Sequence, residues 1–292
     1  MLWVIAGPTA SGKTSFAIAL AKALDTEIIS FDSRQFFREI PIGTAAPTSE
    51  ERSIVTHHFI GNKSITETYS AGGYANDARA FCERWFAQRE HLVAVGGSGL
   101  YLSALLRGFD DLPSIPAAIR EDINRKTEAK GLTWLQEEVQ RVDPKYVKTV
   151  DVQNPRRLAR ALEVYRSSGK RLSELQSSNN RAFPVPVRTY GIDWPRDELY
   201  ARIEQRVDAM MADGLEDEAQ SVYAYRTHQA LQTVGYRELF SFFNGNCQRK
   251  EAVDQIKTNT RRYAKRQLTW FRNRESLTWI APNTKAESLI QQ

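Results

Sequence analysis

Only two cysteines, Cys82 and Cys247, occur in the 292 residues. Two thiols so far apart make no disulfide framework and have no companions at metal spacing, which argues against a disulfide-stapled scaffold and a zinc finger. Histidine is scarce too. His57 and His58 are adjacent while His91 and His228 stand alone, so no metal-ligand pattern results. No apolar run approaches the roughly 20 residues that a membrane span requires. The apolar run after Met1 lacks a basic region and has only strand length, so it is no secretion signal and the cytoplasm is the expected compartment.

What remains is an ordinary globular composition, 41% hydrophobic and 26% charged, in a chain long enough for about two domains. The net charge of +5 is modest, but it is unevenly spread.

The most informative stretch is Gly7-Pro8-Thr9-Ala10-Ser11-Gly12-Lys13-Thr14, directly behind the apolar run Leu2 to Ala6 and ahead of an alanine-rich helix over 15–24. Strand, glycine-bounded loop ending in Gly-Lys-Thr, and helix together predict a phosphate-binding loop. Its backbone N–H groups and the helix's positive end face the phosphates, Lys13 reaches terminal phosphate oxygens, and the Thr14 hydroxyl ligates Mg²⁺.

A second buried strand over 26–31 ends at Asp32-Ser33-Arg34-Gln35. A carboxylate at the tip of a strand beside a phosphate loop lies where open α/β sheets bind ligands. Asp32 is therefore a candidate catalytic or Mg²⁺-organising group, although Asp32 with Gln35 also fits a helix capping box. A further strand over 92–95 runs into Gly96-Gly97-Ser98-Gly99, which reads equally as a close-approach site for substrate or a tight turn. Strands alternating with helices predict an α/β fold: a P-loop NTPase-like parallel sheet wound with helices. From Gly108 to about Pro186 the strand-type runs stop and prolines punctuate polar helical segments, predicting a mostly helical insertion. Its clearest helix starts at Asn154-Pro155, ends at Gly169, and sets Arg156 and Arg160 one turn apart, on a face that is by default simply solvated. Val187 to Ile192 returns to the sheet, giving a core of 1–110 with 187–292 and an insertion of 111–186. Nine cations (Arg249, Lys250, Lys257, Arg261, Arg262, Lys265, Arg266, Arg272, Arg274) stand against Glu251 and Asp254 in the last helix, with Trp270 and Phe271 among them. Such a stretch suits a nucleic-acid backbone, although arginine-rich surface helices also occur without one.

In their order, Gly7 to Thr14, Asp32 to Gln35, Gly43-Thr44-Ala45, His57-His58, Tyr69-Ser70-Ala71-Gly72, Gly97 to Tyr101, Gly235-Tyr236-Arg237-Glu238 and Lys265 to Phe271 make the chain resemble the bacterial-type tRNA dimethylallyltransferase family over nearly its whole length. The resemblance implies that the loop holds dimethylallyl diphosphate rather than ATP. It implies transfer of the dimethylallyl group to N6 of the adenosine 3′-adjacent to the anticodon, with Mg²⁺ as cofactor. Asp32 is then the general base, with Thr14 and Lys13 completing the catalytic set and Thr14 on the metal. Gly7, Thr9, Ala10, Ser11, Gly12, Lys13, Thr14 and Arg206 would bind the diphosphate. The tRNA anticodon stem-loop would meet Asp32, Ser33, Arg34, Gln35, Ser98, Arg120, Arg156, Arg157, Arg160, Gly235, Tyr236, Arg237, Lys265, Arg266, Gln267, Trp270 and Arg272, with the insertion gripping it. A monomer is expected. Three positions depart from the family pattern: Ala46 replaces a usual lysine, Gly73 a frequent acid and Phe37 a usual tyrosine. A small-molecule kinase explains the phosphate loop and Asp32 but not the basic last helix; a prenyltransferase of free adenine nucleotides has less use for it.

Overall fold

The computed structural model describes residues 1–108, 112–176 and 182–291. Two compact units result, one formed by Met1–Leu106 with Ala182–Gln292 and the other by Arg107–Arg181. The expected joint at 110/111 lies outside the described residues. The return to the first unit comes at 182 rather than 187, because Phe183 and Val185 already pack against its apolar core and the Pro186 carbonyl accepts the Leu2 amide.

The first unit is built on six parallel strands: β1 (Leu2–Ala6), β2 (Ile28–Ser30), β3 (His57–His58), β4 (Leu92–Gly96), β5 (Val187–Ile192) and β6 (Thr278–Ile280), in the order β3-β2-β4-β1-β5-β6. β1, β2 and β4 are buried throughout. That is why they read as unbroken apolar runs rather than alternating ones. Neighbouring strands end level: Ala6 pairs with Gly96, and Ser30 with Val95. The loops after β2, β4 and β1 therefore leave the same edge side by side, and these carry Asp32, Ser98 and Lys13. His57 and His58 do point to opposite faces, His57 to the Val55 carbonyl and His58 to Glu27. Both are occupied within the fold.

In the second unit, helical stretches within Ala117–Val142, broken by left-handed Gly131 at φ 77°, pack with the helix Pro155–Ser168 around Ile123, Leu135, Leu158 and Leu162. The Asn154 side chain accepts the Arg157 amide, and Gly169 ends the helix at φ 70°, as the Asn-Pro and glycine signals predict.

Candidate active site

The loop after β1 turns on two left-handed residues, Ala10 at φ 63° and Gly12 at φ 80°, and feeds the helix Lys13–Ala23. Its carbonyls are held by side chains from elsewhere. Arg202 donates through Nε to Ala10 O at 2.8 Å, Trp194 through Nε1 to Ser11 O at 2.9 Å, and Lys13 through Nζ to Pro8 O at 3.1 Å. The Arg202 guanidinium also lies 4.4 Å from the centre of the Trp194 ring. With the carbonyls engaged, the amides of the helix's first turn are left as donors toward an anion. The buried hydroxyl of Ser11 has no protein partner, which suits a loop built to receive oxygen atoms.

The capping box at Asp32 does not form. No helix follows, and Asp32 instead accepts the Arg34 amide at 3.0 Å in a two-residue turn. Gln35 is turned away from it, accepting from Ser30 Oγ and donating to the carbonyls of Thr44 and Ala45. Ser98 Oγ accepts the Ser33 amide at 2.9 Å and donates to Ser33 Oγ at 3.0 Å, tying the β2 and β4 loops together. The glycines at the end of β4 and just after it are closely packed. A Cβ on Gly96 would press on Phe31, and Cβ atoms on Gly97 and Gly99 would overlap Gln267 and Trp270 of the helix Arg249–Arg274.

Asp32, Thr9, Lys13, Arg34, Gln35, Arg206, Tyr263 and Gln267 line a cavity of about 90 Å³, and Val207, Met210, Leu215, Val234 and Ile256 add apolar lining to it. A second, larger cavity of about 940 Å³ runs along the outer side of the loop, from Ala10 to Ser15, and past Arg38, Arg52 and Arg202. Lys13, Gln35, Arg206 and Met210 line both. Enclosure and the nearby Arg206 lower the Lys13 amine to about 8, with Asp32 pulling the other way. Burial likewise holds Arg206 below its usual range, offset by Asp32, and lifts the Tyr263 phenol to about 12. One carboxylate thus shares a single space with three cations, Lys13, Arg34 and Arg206, and a tyrosine.

The residues expected at an RNA surface separate into groups. Arg237, Lys265, Arg266 and Arg272 are exposed, and Arg272 is bonded to Asp193. In the other unit Arg156 and Arg157 are exposed, whereas Arg120 and Arg160 both pair with the largely buried Glu163. Three side chains do not stand at the surface. Tyr236 is 0% exposed, its hydroxyl bonded to Glu218 at 2.5 Å. Gln267 is buried between the phosphate loop and Gly97, and Ser98 is spent on Ser33. Trp270 is half-buried with its indole nitrogen covered, and Gly235 lies in the wall of the smaller cavity at φ 99°. Phe37, one of the departures, packs in an apolar cluster with Ile40 and Tyr236 and also lines the larger cavity. Gly73 gives its amide to Ser70 Oγ in the first turn of the helix Ala71–Phe86.

Trp194, Arg202, Glu218 and Tyr263 are not among the expected site residues. Arg202 carries a sequence signal, four residues before Arg206 on one side of a helix, and Tyr263 falls on the inward face of the last helix; Trp194 and Glu218 carry none.

A family profile described as IPP transferase matches residues 35–274. The tRNA dimethylallyltransferase of Flavobacterium johnsoniae is 45% identical, over 99% of this chain and 96% of its own length; that of Christiangramia forsetii is 46% identical, over 98% and 95%. The solved tRNA isopentenylpyrophosphate transferase of Bacillus halodurans is 35% identical with a TM-score of 0.72, covering 99% of this chain and 93% of its own. A eukaryotic dimethylallyltransferase acting on tRNA shares the fold at a TM-score of 0.82, covering 99% of this chain and 77% of its own, at 23% identity. With the glycine-bounded loop after β1 and Asp32 lining one cavity, the chain belongs to the IPP transferase family, among the tRNA dimethylallyltransferases.

Proposed function

We propose that this chain transfers the dimethylallyl group of dimethylallyl diphosphate to N6 of the adenosine 3′-adjacent to the anticodon in tRNA, releasing diphosphate. The observation that carries this reading is the shared cavity of Asp32 and the phosphate loop. A kinase and an alkylating enzyme can use the same cradle, because in both the phosphate end develops charge in the transition state.

In this reading the allylic C–O bond breaks and its electron pair leaves with the diphosphate, while the N6 lone pair forms the new C–N bond. Adenine N6 is a poor base, so its proton departs to the Asp32 carboxylate as attack proceeds. Lys13 and Arg206 meet the charge growing on the leaving group. The apolar lining residues Val207, Met210, Leu215, Val234 and Ile256 receive the five-carbon group and keep water from competing for it.

The donor set fits Mg²⁺ shared with a diphosphate. Half-buried Thr14 offers one hard oxygen at the cavity wall, and no cluster of three or more His, Cys, Asp or Glu side chains able to hold a metal occurs among the described residues. Were Mg²⁺ bound with the diphosphate, Thr14 would hold it, and it would supply further countercharge to the leaving group.

A stacked loop base cannot reach the cavity, so the adenosine enters by extrusion. Exposed Arg237, Lys265, Arg266 and Arg272, and separately Arg156, Arg157, Arg120 and Arg160 of the helical unit, supply phosphate contacts to the anticodon stem-loop. Incubating the protein with Mg²⁺, dimethylallyl diphosphate and unmodified tRNA, then weighing the nucleosides by mass spectrometry, tests the reading. An adenosine heavier by one dimethylallyl group supports it. Transfer to free AMP but not to tRNA, or phosphorylation from ATP, overturns it.

A further inference from the structure

The short turn Pro41–Thr44 and the residues after it separate the two cavities. Gly43 and Thr44 line the smaller one with Asp32, while Pro41, Ile42, Ala45 and Ala46 line the larger. A wall made of one helical turn has little stability of its own, since its first amides and last carbonyls lack partners within it. Here both ends are held by side chains from outside the turn. The Glu218 carboxylate takes the Ile42 amide on Oε2 at 2.7 Å and the Gly43 amide on Oε1 at 2.8 Å. The buried Tyr236 hydroxyl donates to Oε1 at 2.5 Å. At the other end Gln35 Nε2 donates to Thr44 O at 3.3 Å and Ala45 O at 2.9 Å. Gly43 has no room for a side chain, because a Cβ there would overlap the Tyr236 phenol.

We propose that Glu218, oriented by Tyr236, is a positioning residue for prenyl transfer: its carboxylate fixes the Ile42–Gly43 wall against which the two substrates are aligned. The inference rests on the prenyl-transfer reading, but the clamp itself has a consequence that needs no activity. A carboxylate bonded to two backbone amides is a strong, two-point acceptor, and removing it leaves both donors to water or to nothing. The turn then shifts, and a displacement of about 1 Å at a reacting centre costs about a hundredfold in rate.

The experiment has two arms on the full chain. In the first, amide hydrogen exchange is read in the parent, Glu218→Ala and Tyr236→Phe. Ile42 and Gly43 are protected in the parent and lose protection in Glu218→Ala, while β1 and β4 amides keep theirs. Equal exchange of Ile42 and Gly43 in parent and Glu218→Ala overturns the clamp. In the second arm, Glu218→Ala lowers kcat for prenyl transfer about a hundredfold, with tRNA Kd within about twofold. Glu218→Gln, which keeps one acceptor, recovers part of the loss, and Tyr236→Phe, which keeps both amide bonds, loses less than either. Rate losses that follow the melting temperature instead of this order, or an unchanged kcat in Glu218→Ala, overturn the positioning role. A parent that protects Ile42 and Gly43 but transfers nothing contradicts the proposed function and leaves the clamp standing.

Discussion

Gln267 Oε1 accepts the amide hydrogen of Thr9 at 3.0 Å, and its Nε2 donates to Gly97 O at 2.8 Å. One buried amide therefore fastens the phosphate loop to the loop after β4, from a helix whose exposed side carries Lys265 and Arg266. Replacing Gln267 with Ala strands a donor and an acceptor in the interior, at a cost of about 1–3 kcal/mol. We predict a lower melting temperature and a KM for dimethylallyl diphosphate that rises more than the Kd for tRNA. A variant that melts normally and loses chiefly RNA affinity would return Gln267 to the RNA surface.

Lys13 gives the site a pH dependence with a definite sign. Its amine is lowered to about 8 by burial and by Arg206, so in the empty site it loses its charge as pH rises through that value. A bound diphosphate favours the charged form and draws the proton back. Affinity for dimethylallyl diphosphate is therefore predicted to fall above about pH 8, with proton uptake on binding there. Titration calorimetry in two buffers of different ionisation heat measures the uptake. Lys13→Arg, charged throughout, is predicted to abolish it.

Arg156 is exposed, and Arg160 is only partly satisfied by Glu163 at 3.4 Å. The double replacement Arg156→Ala, Arg160→Ala is predicted to weaken tRNA binding and to make its salt dependence shallower by about one log unit per lost phosphate contact. An unchanged affinity across a salt series would assign that helix face to solvent.

What could be read from the chain was whatever is local. Gly7 to Thr14 lies between a buried strand and a helix within a few residues, and Asn154-Pro155 and Gly169 mark both ends of their helix by their own backbone chemistry. Other features depend on residues that meet only after folding. Gln267 and Tyr236 sit in polar or motif stretches that read as surface, yet each turns inward to a partner far along the chain. Glu218 looks like one acid among several in its helix until the turn at Ile42 is brought against it. The cavity's apolar lining draws on four separated segments; the helical spacing of Val207 and Met210 marks them as inward-facing but does not say that they meet Leu215, Val234 and Ile256 at one cavity. Three-residue β6 is too short to signal a strand and is specified by pairing with β5.

In the proposed reaction Asp32 takes the proton from an adenine amine while the Gly7–Thr14 loop holds the leaving group. Single-turnover transfer by Asp32→Ala, measured beside tRNA binding by the same preparation, tests it most directly. Transfer is expected to fall by at least about a hundredfold while tRNA Kd stays near the parent value. Transfer near the parent rate from a variant lacking that carboxylate would contradict it.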